Sequence, residues 1–149
     1  MKISAKSRYA LAAAVEIAQR TGVKEDYVST ISISKSLGIS KIFLEQAMSH
    51  LKNGELIISA KGANGGYRLS RPAEQVTVWD LLATIETSLF EKTENTVLDN
   101  SPAIEGALRE LVFDKLDMAI KLSLEQVTLQ DLIDASNCGN EEQSFMLNI

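Results

Sequence analysis

Residues 29–71 carry an order of elements that few small folds accept: a short helical segment, a three-residue break, a longer helical segment and a glycine-rich hairpin. The spacing predicts a first helix over residues 31–37, with Gly38-Ile39-Ser40 as the turn. A second helix is predicted over residues 41–53, ending at Gly54. In it Leu44, Ala47, Met48 and Leu51 follow the i, i+3, i+4, i+7 spacing of a buried stripe. Lys41, Ile42, Glu45, Gln46, Ser49 and Lys52 are left for the opposite side. A strand over 56–60, the tip Lys61-Gly62-Ala63-Asn64-Gly65-Gly66 and the return Tyr67-Arg68-Leu69 complete the unit. Helix, turn, helix and β-wing make a winged helix-turn-helix, whose second helix fits the DNA major groove.

The outward residues suit that task. Glu45 can accept a hydrogen bond from a cytosine amino group, while Lys41, Lys61 and Arg68 attract phosphates without regard to sequence. Glycines at 62, 65 and 66 permit positive φ and close backbone approach, and Asn64 offers both a donor and an acceptor at the tip. A cationic tip of this kind fits the minor groove or its phosphate rim. The plainer readings are a solvated helix face and a hairpin whose glycines serve only the turn. A nucleotide-binding loop does not fit, because neither a helix nor a Lys-Ser/Thr pair follows the glycines.

Charge agrees once the chain is divided. The whole is acidic, at -5. Residues 1–71 carry 11 Lys and Arg against 5 Asp and Glu, whereas residues 72–149 carry 4 against 15. A basic front half suits double-stranded DNA, and an acidic rear half would be repelled by it. Two regions are therefore expected: a DNA-binding domain over 1–71 and a helical dimerisation and regulatory region over 72–149.

Ahead of the motif, Ser4 can cap a helix over about 5–19 that Gly22 stops, with a polar connector over 23–30. Its start resembles an export signal, but the uncharged run Tyr9 to Val15 ends at Glu16, too short for an h-region or a membrane span. A cytoplasmic protein without membrane attachment is expected. Beyond Pro72, Thr77-Val78-Trp79-Asp80 has the form of a capping box opening a helix with Leu81, Leu82 and Ile85. Trp79 is read as a packing anchor between the halves. A polar acidic loop follows over 88–101, and Ser101-Pro102 marks a helix start.

The long helix after Pro102 carries Ile104, Leu108, Leu111, Val112, Leu116, Ala119, Ile120 and Leu122, a broader apolar surface than one packing face needs. It is expected to pair with a second copy. A last short helix starts at Thr128-Leu129-Gln130-Asp131. The tail from Asn137 is expected to be loose until Phe145-Met146-Leu147, which would dock.

With one cysteine, Cys138, and one histidine, His50, the chain offers no internal disulfide, no thiolate cluster and no nucleophile–base–orienter set. Neither an enzyme nor a built-in metal or other cofactor is expected. Cys138 is either an inert thiol, the simpler reading, or a lone redox switch. A reading of another class stays open: a winged-helix protein-interaction module working through the acidic half.

The opening Met1-Lys2-Ile3-Ser4-Ala5-Lys6-Ser7-Arg8-Tyr9-Ala10-Leu11, with Phe43-Leu44-Glu45-Gln46 and Gly62-Ala63-Asn64-Gly65-Gly66-Tyr67, resembles the Rrf-type family of bacterial regulators. That family includes IscR, NsrR and CymR. The resemblance implies a homodimeric winged helix-turn-helix transcription factor, mainly α with a small β-wing, joined by its long C-terminal helix. It implies groove contacts at Ser40, Ile42 and Glu45, and in the wing at Lys61, Gly62, Gly65, Gly66 and Tyr67. It also implies phosphate contacts at Ser4, Lys6 and Arg8. Cluster-binding members place three cysteines in the loop before the dimer helix, and residues 89–100 here have none. The chain is thus similar to the cluster-free CymR-type branch, and its closing residues Glu142 to Ile149 resemble that repressor's end. Cysteine synthase is the co-regulator that this branch implies. The function expected is a sequence-specific repressor on a pseudo-palindromic operator.

Overall fold

The computed structural model describes residues 3–21 and 26–147. Helix α1 (Ala5–Thr21) is the spine of the front half. Ser4 caps it, its Oγ accepting the Ser7 N–H at 3.2 Å. The expected stop at Gly22 and most of the connector lie outside the described residues. Helices α2 (Thr30–Leu37) and α3 (Lys41–Asn53) follow almost as the periodicity predicts. Gly38, at φ 65, turns the chain between them in a conformation that a Cβ would oppose. Ser29 and Ser40 cap the two helices by accepting the N–H groups of Ser32 and Phe43. Ile33 on α2 and the α3 stripe Leu44, Ala47, Met48 and Leu51 are buried against Ala10, Ala13, Ala14 and Ile17 of α1. Each large aliphatic so buried contributes about 1.5–3 kcal/mol.

Strands β1 (Ile57–Ala60) and β2 (Gly66–Leu69) form the antiparallel wing, with Ile57 opposite Leu69 and Ala60 opposite Gly66. Leu56, expected in the strand, precedes it because Glu55 turns the chain at φ 59; its side chain is nonetheless core. Val28 adds a bridge on the other side of β2, exchanging backbone hydrogen bonds of 2.8 and 2.9 Å with Tyr67.

A 3-10 turn (Ala73–Gln75) leads to α4 (Val78–Ala83), where the capping box is complete. Thr77 accepts the Asp80 N–H at 3.1 Å and Asp80 accepts the Thr77 N–H at 3.0 Å. Ile85, placed on this helix by sequence, lies just past its end and packs on the core. The first residues of the expected loop over 88–101 are helical instead, in α5 (Thr87–Phe90), where Phe90 packs on Trp79, and α6 (Pro102–Leu108) starts with Pro102 in the first turn. Ser101 makes no side-chain cap there. A π-helical stretch (Arg109–Phe113) joins α6 to α7 (Asp114–Glu125).

Two further expectations are corrected in the rear half. The last helix, α8, runs Leu129–Leu147, so residues from Asn137 onward are helical rather than loose. Phe145, Met146 and Leu147 are exposed at its far end, and none is docked. Trp79 meets Phe90 edge-on at 4.2 Å, with the Lys121 ammonium 5.9 Å from its ring, so these contacts brace α4, α5 and α7 within the rear half. The halves are joined through α8 and the α4 region: Leu129 and Ile133, with Val76 and Leu81, enter the core cluster that includes Ala14 and Leu51. Val78 N–H to Val127 O and Leu129 N–H to Val76 O, both 2.8 Å, fasten the start of α8 beside α4.

Candidate nucleic-acid interface

Burying the α3 stripe forces the other side of that helix outward. Ser40, Lys41, Ile42, Glu45, Gln46 and Ser49 are all exposed. Ile42 reaches 69 % exposure and Phe43 54 %, although both are large apolar residues. Periodicity assigns Phe43 to neither face of the helix; its place in the Phe-Leu-Glu-Gln motif is the available signal. Its ring leans on Tyr9 of α1 at 6.1 Å, which limits how far it can swing. Aliphatic and aromatic groups on a polar helix face can contact thymine methyls. Glu45 sits 3.8 Å from the Lys41 ammonium one turn earlier, so its carboxylate is charge-paired before any base arrives.

The wing turns back toward α3. A groove of about 430 Å³ runs between them, lined on one side by Lys41, Glu45 and Lys52 and on the other by Lys61, Gly62, Gly65, Gly66 and Tyr67. Thr30 and Ile31 from the start of α2 form its end. The groove therefore brings Lys41 and Glu45 together with most of the expected wing residues and adds Thr30, Ile31 and Ser59, whereas Ser40, Ile42, Gln46 and Ser49 are exposed but do not line it. Asn64 lines a different cleft, with Arg20, Tyr27 and Ser32.

The glycines have separate reasons. Gly62 and Gly66 hold φ at 105° and 145°, while Gly65 does not have positive φ. A Cβ on Gly65 would come within 2.3 Å of the Ala60 carbonyl oxygen, and one on Gly66 within 2.1 Å of Val28 O. The close approach is internal to the wing at Gly65 and made to the Val28 bridge ahead of α2 at Gly66. Arg68 is half-buried at the wing's root with its guanidinium 5.2 Å from the Tyr27 ring centroid, so Lys61 is the exposed cation of the tip.

Ser4, Lys6 and Arg8 are exposed at the head of α1. A carboxylate from the rear half anchors this helix start: Glu86 Oε1 accepts the Ser4 N–H at 2.8 Å and the Ser7 hydroxyl at 2.7 Å. Hydrogen bonds from Ser4 and Ser7 hold the Glu86 carboxyl below its ordinary value. The neighbouring Thr84 methyl presses on Gly54 at the end of α3, where a Cβ would lie 2.2 Å from it. One turn of the rear half thus touches both the head of α1 and the foot of α3.

In the rear half, Ile104, Leu111, Val112, Leu116 and Ala119 are exposed and Leu108 is half-buried. Met118 and Leu122 extend the same exposed apolar run. Among the described residues no group of three or more His, Cys, Asp or Glu is arranged to hold a metal ion, and Cys138 is exposed on α8. No helix among them is long and apolar enough to cross a membrane.

Comparisons with known proteins agree with this geometry. The family model for Rrf2, an iron-dependent transcriptional regulator, matches residues 3–135. The transcriptional regulator CymR of Bacillus subtilis is 35% identical over 149 residues, covering 100% of both chains. The regulator IscR of Cereibacter sphaeroides is 31% identical over 137 residues, covering 89% of this chain and 87% of its own. The solved structure of CymR, described as the global cysteine regulator of B. subtilis, superposes with a TM-score of 0.73 at 34% identity, covering 91% of this chain and 98% of that one.

Proposed function

The chain belongs to the Rrf2 family of transcriptional regulators, and on that premise we propose that it is a homodimeric, cluster-free repressor of a pseudo-palindromic operator. The observation that carries this is the single groove uniting α3 with the wing, fringed by Lys41, Lys52 and Lys61. We read residues 1–71 as the DNA-binding domain and 72–149 as the dimerisation and regulatory region. In this reading α3 enters the major groove, with Ser40, Ile42, Glu45, Gln46 and Ser49 toward base edges. Lys41, Lys61 and the head of α1 bear on phosphates. Gly62, Asn64, Gly65, Gly66, Tyr67 and Arg68 build the wing and hold its tip against the backbone.

Dimerisation is supported by the exposed face Ile104, Leu111, Val112 and Leu116, an area that a lone helix would leave in water. The cluster-free state is supported by the donors present. The loop over 91–101 has no cysteine, and the buried carboxylate beside it, Glu105, is already taken by the Thr96 and Val97 amides. Those residues do not fit an iron–sulfur group. Similarity to CymR points further to cysteine metabolism as the regulated class and to cysteine synthase as co-regulator. Co-purification of added cysteine synthase tests that part.

The main test is selection of source-genome fragments by the purified protein, followed by sequencing. The proposal expects one pseudo-palindrome near promoters, with half-site centres about 10 bp apart or a multiple of that. Retention without any shared motif would favour the other class of reading, a protein-interaction module, to which the bare apolar end of α8 lends support.

A further inference from the structure

The loop between α5 and α6 is held in place by side chains of the helix that follows it. Glu105 is only 1 % exposed, although its neighbours Ile104 and Gly106 face solvent. Its Oε2 accepts the N–H of Thr96 at 2.9 Å and of Val97 at 2.8 Å. Its Oε1 lies 3.6 Å from Arg109 Nε and accepts no hydrogen bond among the described residues. Arg109 continues outward, donating to Asn95 Oδ1 at 3.2 Å and to the Thr93 carbonyl oxygen. Asp117, two turns further, accepts the Thr93 hydroxyl at 3.0 Å and its N–H at 3.3 Å. A carboxylate is expensive to bury unless donors meet it, and here a whole loop folds round to supply them.

Arg109 also opens the π-helical stretch Arg109–Phe113. Such stretches occur mostly as single-turn bulges and often at functional positions. The loop, the buried acid and the bulge meet at one point on a helix whose outer side is the exposed apolar face.

We propose that Glu105, Arg109 and Asp117 form a metal-independent latch that fixes residues 93–97 against the helix over 102–125. The latch rests on the cluster-free reading: in a family described as iron-dependent, this chain organises its loop with protein donors alone. Glu105 is a positioning residue, acting through the Thr96 and Val97 amides on the path of residues 93–97.

Amide-resolved hydrogen exchange on the full chain tests it, run as purified, with EDTA, and after anaerobic incubation with ferrous iron and sulfide. Thr96 and Val97 should exchange at least ~10-fold more slowly than Glu94 and be unaffected by either treatment. Glu105→Ala should bring both to the rate of Glu94 while α1 and α3 stay protected. Glu105→Gln, which keeps an acceptor oxygen, should retain part of the protection. Fast exchange in the unmodified chain, or unchanged protection in Glu105→Ala, would overturn the latch. Should Glu105→Ala not fold, the unmodified chain and Glu105→Gln still decide. Stoichiometric iron uptake that reorders the loop would instead overturn the cluster-free reading, an outcome visible by metal analysis and so distinguishable from failure of the latch.

Discussion

The front and rear halves differ in what their surfaces leave unsatisfied. Around α1, α2 and α3 the apolar stripe is spent on one core, and what faces outward is mainly polar and cationic. Along residues 102–125 the reverse holds: Ile104, Leu111, Val112, Leu116 and Leu122 face water in an acidic setting. A core closed in this way, with cations and the exposed Ile31, Ile42 and Phe43 on its α2–α3 surface, is folded by itself and awaits a polyanion. An apolar helix face with no cover is incomplete, and a second copy of the same helix is the cover proposed for it. On the proposed reading, the contrast separates reading from pairing: one half would touch DNA, and the other would bring two such halves into register.

The largest effect should come from breaking the rear half alone. Leu111→Asp with Leu116→Asp puts charge on the face and should yield a monomer by light scattering, with operator affinity down about 100-fold as the gain from linked half-sites is lost. A dimer of unchanged affinity would show that the face is not the joint.

Next comes a pair of glycines, one from each half. Gly66→Ala forces a Cβ against Val28 O and should cost about 2–3 kcal/mol, lowering the melting temperature by roughly 5–10 °C. Gly139→Ala, where a Cβ on α8 meets nothing within 4 Å, should instead stabilise by about 0.5–1 kcal/mol. Equal effects would mean that the wing is slacker than its contacts imply.

A smaller change is expected at the tip. Lys61→Ala should weaken binding to every DNA sequence and reduce the slope of log affinity against log salt by about 0.9. Loss confined to one operator sequence would reassign Lys61 to base reading.

The smallest concerns the tie between the halves. Because the Glu86 carboxyl is held below its ordinary value, the stability it contributes is complete above the ordinary carboxylate range and is lost as pH falls below it. Melting temperature followed downward from neutral pH should therefore fall less steeply in Glu86→Gln. Glu105, lowered by the Val97 and Thr96 amides, has the same sign, so the acid limb should shrink in that variant and not vanish.

Legibility followed the same division. The front half could be read because its signals are local: the four-residue stripe of α3 and the Gly38-Ile39-Ser40 turn, in which Gly38 holds φ 65. Thr77 and Asp80 were legible for the same reason. The length of α8 was not, since beyond Ser136 its residues bury nothing and leave no apolar period to find. Nor could sequence show that Arg68 would turn back onto Tyr27, or that Glu105 would be buried. Both depend on contacts with segments distant along the chain or folded around them. Gly65 was recognised as a wing glycine, but its reason, the Ala60 carbonyl, is a fact of register that spacing does not express.

The central claim is that two front halves, joined by two rear helices, read one DNA site. Hydroxyl-radical footprinting of a selected fragment, with native mass of the same complex, tests it most directly. The account predicts two chains per duplex and two protected patches related by a two-fold axis, their centres about 10 bp apart or a multiple of that. A single patch under a single chain would contradict it.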